Sequence, residues 1–230
     1  MNHIQILREK TKIFLAQTAL HLEGIHLNEV QTKDLLDKNI YEYFDTDEED
    51  AIVMRNVVIA LNYLESIDIA NQEIDLNLYI TLNEILAYEQ ALETGHLRTK
   101  PVAISCIPND IPPCEEKDIV CEIEKINAIH EKNFKQVIPS VFCKLIRMQP
   151  FFDGNKRSTA FLCNVALLKK NLGLLVINYE NLGKFELLLT DYYTEKNNNI
   201  LQFMQNKLIF SSKQLNNAKL KNTNCQNLAP

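Results

Sequence analysis

The chain has no tryptophan, and only five glycines and seven prolines among its 230 residues. A protein of many short strands needs more Gly and Pro than this to turn its chain, so a mainly helical fold is expected. Long apolar runs are missing too. None approaches the roughly 20 residues that cross a bilayer, so no membrane partner is expected. The stretch MNHIQILREKTKIFLAQ lacks a continuous apolar segment and does not read as a secretory signal. Basic residues are outnumbered, 24 Lys and Arg against 30 Asp and Glu, and they are scattered. A chain whose main task is binding nucleic acid concentrates positive charge against phosphates, so that class is disfavoured. A nucleotide needs only a few cations and is not excluded. The six cysteines (Cys106, Cys114, Cys121, Cys143, Cys163, Cys225) form no CxxC pair. Neither a disulfide framework nor a zinc site is expected, and the chain reads as cytoplasmic. Cys143 and Cys163 fall inside apolar helical patterns and read as small buried hydrophobes.

What is present is helical periodicity. Apolar residues recur at three- and four-residue steps through IQILREKTKIFLAQTALHLE, which stops at Gly24. The acidic run DTDEED, 45–50, precedes AIVMRNVVIALNYLESI and reads as a solvated helix start that opposes the dipole favourably. DLNLYITLNEILAYEQALET is expected to be one helix ending at Gly95, and EEKDIVCEIEKINAIHEK another. KRSTAFLCNVALLKKNLG is the most apolar and is expected to run through the core. KFELLLTDYYTEK and NILQFMQNKLIFSSKQ complete the helices. Between them LRTKPVAISCIPNDIPP, 97–113, shows β-branched alternation at Val102 and Ile104 and a Pro-Pro exit, the mark of a short hairpin. The polar, Asn-rich tail 213–230 reads as disordered. One helical domain, 1–212, is expected.

Chemistry concentrates in RMQPFFDGNKRSTAFL, 147–162. Asp153-Gly154-Asn155 is a turn signal placed directly before a long helix. The first turn of a helix offers free N–H groups and a positive dipole end to an anion. Lys156 and Arg157 add charged donors. Asp153 is an oxygen ligand of the kind Mg²⁺ takes beside substrate phosphates. On residues alone, a plain loop with a solvated Lys-Arg helix start stands beside the phosphate site as an alternative.

QPFFDGNKRSTA resembles the Fic/Doc (Fido) signature, His-Pro-Phe-x-(Asp/Glu)-Gly-Asn-(Gly/Lys)-Arg-x-x-Arg. GHLRTKPVAISCIPNDIPPCEE resembles that family's flap hairpin, and ALHLEGIHLNEV its inhibitory motif, (Ser/Thr)-x-x-x-Glu-(Gly/Asn). The resemblance spans about residues 19–171. It implies a mainly α-helical Fido fold with a small inserted β-hairpin flap at about 97–113 and an inhibitory-like helix at about 10–24. It also implies AMP transfer from ATP to a hydroxyl of a target protein, with Mg²⁺. Carried over by position, Asp153 would hold Mg²⁺, and Gly154, Asn155, Lys156 and Arg157 the phosphates. Phe151 would anchor the loop, and Glu23 would be the inhibitory carboxylate. The flap, with Arg98, Val102 and Ile104, would dock the target by strand addition.

Three departures bear on activity. Gln149 stands at the general-base His; its amide cannot take a proton near neutral pH. Ala160 stands where a second Arg often sits, so Glu23 loses that partner and would have to meet Lys156 or Arg157. Ala19 replaces the Ser/Thr of the inhibitory motif, with Thr18 adjacent. His96 and His130, the second in the helix before the signature, are expected to lie too far away to replace the base. The expectation is an adenylyltransferase-type domain with weak or lost catalysis. A nucleotide-binding pseudoenzyme that regulates a partner through the flap, and a Doc-like phosphate-transferring variant suggested by Lys156, stay open. So does a homo-oligomer.

Overall fold

The computed structural model describes residues 9–38, 47–91, 93–212 and 214–215. The start of the first expected helix, Asp45 and Thr46 of the acidic run, Cys225 and nearly all of the tail lie outside the described residues. Nine α-helices appear among the described residues: α1 Glu9–His21, α2 Glu29–Lys38, α3 Glu48–Ser66, α4 Leu76–Leu86, α5 Glu116–Asn127, α6 Phe134–Met148, α7 Asn155–Lys169, α8 Tyr179–Tyr193 and α9 Asn199–Phe203. The chain is thus mainly helical.

At the centre lies α7, with every residue from Arg157 to Leu167 buried; it packs against α4, α6 and α1. Most of its polar residues find partners inside the core, Thr159 among them. Thr159 donates to Asn155 O at 2.7 Å and meets the Tyr79 hydroxyl of α4 at 2.6 Å. Local chemistry sets the starts of α3 and α4. Asp47 caps α3 by accepting from Asp50 N at 2.9 Å, and Asp75 caps α4 by accepting from Leu78 N at 2.9 Å. At the end of α1, Gly24 N returns to His21 O and Ile25 N to Leu20 O, a Schellman closure that places Glu23 at the helix cap.

Three expectations need correction. The helix expected to run to Gly95 ends at Leu86, because the 87–91 turn folds back onto the signature loop, with Glu89 at φ 61°. The helix expected through 115–132 ends at Asn127, which leaves His130 in the loop before α6. The C-terminal stretch expected to be one helix is α9, a π-helical turn Met204–Leu208, and a strand β2, Ile209–Ser211, paired antiparallel with β1, Gly173–Leu175. That pairing requires glycine: φ at Gly173 is 151°, and a Cβ there would lie 2.0 Å from Phe210 O. The flap is sparser than a full ladder. One antiparallel bridge, Val102 to Ile111, holds it. No described helix is long and apolar enough to cross a membrane.

Candidate functional site

The C-terminus of α6 and the N-terminus of α7 are joined by the signature loop, and the loop is braced from within. Gln149 ends α6 in the left-handed region, φ 47° and ψ 61°. Its amide nitrogen donates to Ile146 O at 2.5 Å, and its amide oxygen accepts from Asn155 Nδ2 at 2.9 Å. Asn155 also spans the loop's main chain, accepting from Phe151 N at 3.0 Å and donating to Phe151 O at 2.9 Å. Phe151 is buried edge-on against Tyr79, centroids 4.9 Å apart, so the loop is pinned to α4. Gly154 begins the helix at φ 72°, and a Cβ there would meet Ala87 Cβ at 2.9 Å and Asn83 Nδ2 at 3.0 Å. Only glycine meets both demands.

This packing leaves the α7 N-terminus uncapped. Gly154 gives no side-chain cap, and the N–H groups of Asn155, Lys156 and Arg157 have no acceptor among the described residues. Arg157 is fully buried. Its Nη1 donates to Leu86 O at 2.6 Å and Gln90 Oε1 at 2.5 Å, and its Nε pairs with Glu23 Oε1 at 3.0 Å. Its Nη2 is buried with no hydrogen-bond partner, and the Asp153 carboxylate lies 3.7 Å away. A buried guanidinium nitrogen without a hydrogen bond is costly, and the Asp153 carboxylate offsets only part of that cost at this distance. Asp153 holds the turn by accepting from Gly154 N at 2.5 Å through Oδ1, while its other oxygen is free among the described residues. Three amides, one orphaned guanidinium nitrogen and one free carboxylate oxygen fit a phosphate chain with a divalent cation.

The end of α1 sits on this site. Glu23 takes Arg157, and Leu22 O accepts from Lys156 Nζ at 2.5 Å. The negative end of one helix thus faces the positive end of another, which is favourable. His21, buried two residues earlier, fastens that end by donating from Nδ1 to Ile177 O at 2.7 Å. Burial holds its pKa below the usual 6.5, and His26, with ring centroids 5.7 Å away, adds to the shift. The unfolded chain therefore binds this proton where the folded chain does not. Above 6.5 both forms are neutral, and stability is lost as pH falls through that value towards the lowered one. The thermal midpoint should be lower near pH 5.5 than near pH 7.5, and His21→Gln should flatten that dependence. An unchanged slope in the variant would assign the effect to other groups.

A cleft of about 500 Å³ opens over the loop. Glu23, Gln149, Asp153, Asn155 and Lys156 form its floor; Ala103 to Cys106 of the flap and Glu186, Leu189, Thr190 and Tyr193 of α8 form its walls. The α8 wall went unread in the sequence, since nothing in KFELLLTDYYTEK differs from an ordinary amphipathic helix. Burial raises the pKa of the Tyr193 phenol, which stays protonated and donates to Ile146 O at 3.2 Å. Of the flap residues, Ile104 reaches the cleft and Val102 carries the bridge. Arg98 corrects its assignment to target binding. It is 3% exposed, and its guanidinium donates to the carbonyls of Met148, Gln149, Lys100, Ile111 and Pro112, which ties the flap to the loop. His96 is exposed and bonded to Glu93 at 3.1 Å; neither it nor His130 lines the cleft.

Neither a family model nor a curated protein sequence matches the chain. Solved structures do match its fold. Fic-1 from C. elegans superposes with a TM-score of 0.66 at 18% identity, over 86% of this chain and 59% of that one. A Fic family protein from Desulfovibrio desulfuricans gives 0.65 at 14% identity, over 95% of this chain and 69% of its own. A Fic domain containing signaling protein from Bacteroides thetaiotaomicron gives 0.60 at 19% identity, over 86% and 82%. The chain therefore spans little more than half of the C. elegans chain. A mainly helical chain that superposes on three such proteins, with α7 at its centre and a flap over the α7 N-terminus, has the Fic fold.

Proposed function

We propose that this chain binds Mg-ATP on the 153–157 turn and is built for AMP transfer to a hydroxyl side chain of a target protein, with the transfer itself weak or lost. The observation that carries the proposal is the division of the loop. The groups suited to phosphates, Arg157 Nη2 and the N–H groups of 155–157, make no hydrogen bond among the described residues, whereas the group at the base position is spent on bracing. Gln149 uses both ends of its amide, on Ile146 O of α6 and Asn155 of α7, and has no proton affinity to offer an attacking hydroxyl. Asp153 would hold Mg²⁺, which when bound neutralises phosphate charge and orients the chain for displacement. Glu23 occupies Arg157 and would have to leave it for a phosphate to enter. The target segment would add to the flap. The engaged amide of Gln149 also supports a second reading, a nucleotide-binding partner regulator without transfer.

Calorimetric titration with ATP in the presence and absence of Mg²⁺ tests the proposal. The wild-type chain should bind ATP in an Mg²⁺-dependent way, and Asp153→Ala should lose at least about tenfold in affinity while folding normally. Equal affinity in the two proteins would remove the metal and phosphates from this turn.

A further inference from the structure

We propose that Glu186, on α8, sets the specificity of the cleft by reading a positively charged side chain beside the acceptor hydroxyl of the target segment. The inference rests on the reading above that a target segment lies along the flap. It begins with charge. The cleft wall carries three carboxylates, Glu23, Asp153 and Glu186, against the one ammonium of Lys156. Glu23 is matched by Arg157 at 3.0 Å, and Asp153 spends one oxygen on Gly154 N with the Arg157 guanidinium 3.7 Å away. Glu186 is exposed, and its carboxylate meets no cation or donor among the described residues.

A polyanion would find its donors elsewhere, at the α7 N-terminus, and an unmatched carboxylate among its phosphates would repel them. A ribose hydroxyl or a base amine would need only a neutral acceptor. A full charge without a partner gains most from a cation. The opposing wall supplies the frame for one. The main-chain groups of Ala103 and Ser105 have no hydrogen-bond partner among the described residues, and both residues are exposed. A segment paired to that edge would lie between flap and α8, its side chains alternating in direction. A Lys or Arg within a residue or two of the hydroxyl would then come to the Glu186 wall.

Fluorescence anisotropy with short labelled peptides tests this, each peptide holding one hydroxyl residue flanked by Lys or by Glu, with and without MgATP. The wild-type chain should bind the Lys-flanked peptide about three- to fivefold tighter at low salt, with the gap shrinking at high salt. The preference should vanish in Glu186→Gln and reverse in Glu186→Lys. Equal binding of the two peptides to the wild type, binding of neither, or a preference that survives in Glu186→Gln would overturn the inference. So would a loss of MgATP affinity in Glu186→Gln, which would assign the carboxylate to the nucleotide. If MgATP fails to bind while the preference holds, the proposed function falls and this inference stands. If MgATP binds and the preference fails, the reverse is true.

Discussion

Gln149→His should raise AMP transfer by about 10²- to 10⁴-fold, the usual contribution of a positioned general base. The backbone is ready for the change. Position 149 lies at φ 47°, a region in which His is enriched among non-glycine residues. The imidazole can take over the amide's bond to Ile146 O through one ring nitrogen, which leaves the other free towards the cleft. Asn155 would lose one acceptor and keep its bond to Phe151 O at 2.9 Å, so the loop should hold. Labelling of a target by a fluorescent ATP analogue reads the gain. The same assay in a Glu23→Gly background should give a further rise, since Arg157 is then released from its carboxylate. Nucleotide affinity should barely respond to the change at 149. A Gln149→His protein that binds MgATP yet labels no faster than wild type would show that more than the base is missing, and would favour the regulator.

Arg98→Ala should be the most damaging single change outside the core, costing about 3 kcal/mol or more. Hydrogen bonds to a charged group contribute about 1.5–3 kcal/mol each, although five on one side chain do not add. All five N–H groups of the guanidinium have carbonyl acceptors, drawn from the end of α6 and from both sides of the flap. Removing them leaves these carbonyls short of donors and leaves flap and loop joined through the main-chain bond from position 98 N to Pro150 O, 2.9 Å. For a domain of this size the loss corresponds to a fall of roughly 6–12 °C in thermal midpoint. Arg98→Lys should recover little, because an ammonium cannot fan five donors in a plane. A variant with an unchanged midpoint would show that the flap holds by its single bridge.

Much of this architecture was legible in residue patterns because its causes are local. The turn at Asp153-Gly154, the apolar run of α7 and the Gly24 stop of α1 each depend on neighbours in sequence. The mainly helical class followed from the scarcity of Gly and Pro and the helical periodicity, and the flap from the family resemblance. The misreadings have non-local causes. Ile209–Ser211 looks helical in isolation and becomes a strand because Gly173, some 36 positions earlier, lets its backbone approach Phe210. Nothing near Leu86 ends α4; the signature loop and Arg157 do so from across the fold. The family resemblance places Arg98 on a target-docking flap, and only tertiary structure shows the ring of carbonyls around it. Glu186 carried no local mark at all. It drew attention only once α8 formed a wall of the cleft.

The claim that the loop keeps its hold on phosphates without its base is tested most directly by a crystal structure after soaking with MgATP. The account predicts phosphate density on the N–H groups of Asn155, Lys156 and Arg157, a metal at Asp153, and Glu23 displaced from the Arg157 guanidinium. Nucleotide bound elsewhere, or a turn that stays bare with Glu23 in place at saturating MgATP, would contradict it.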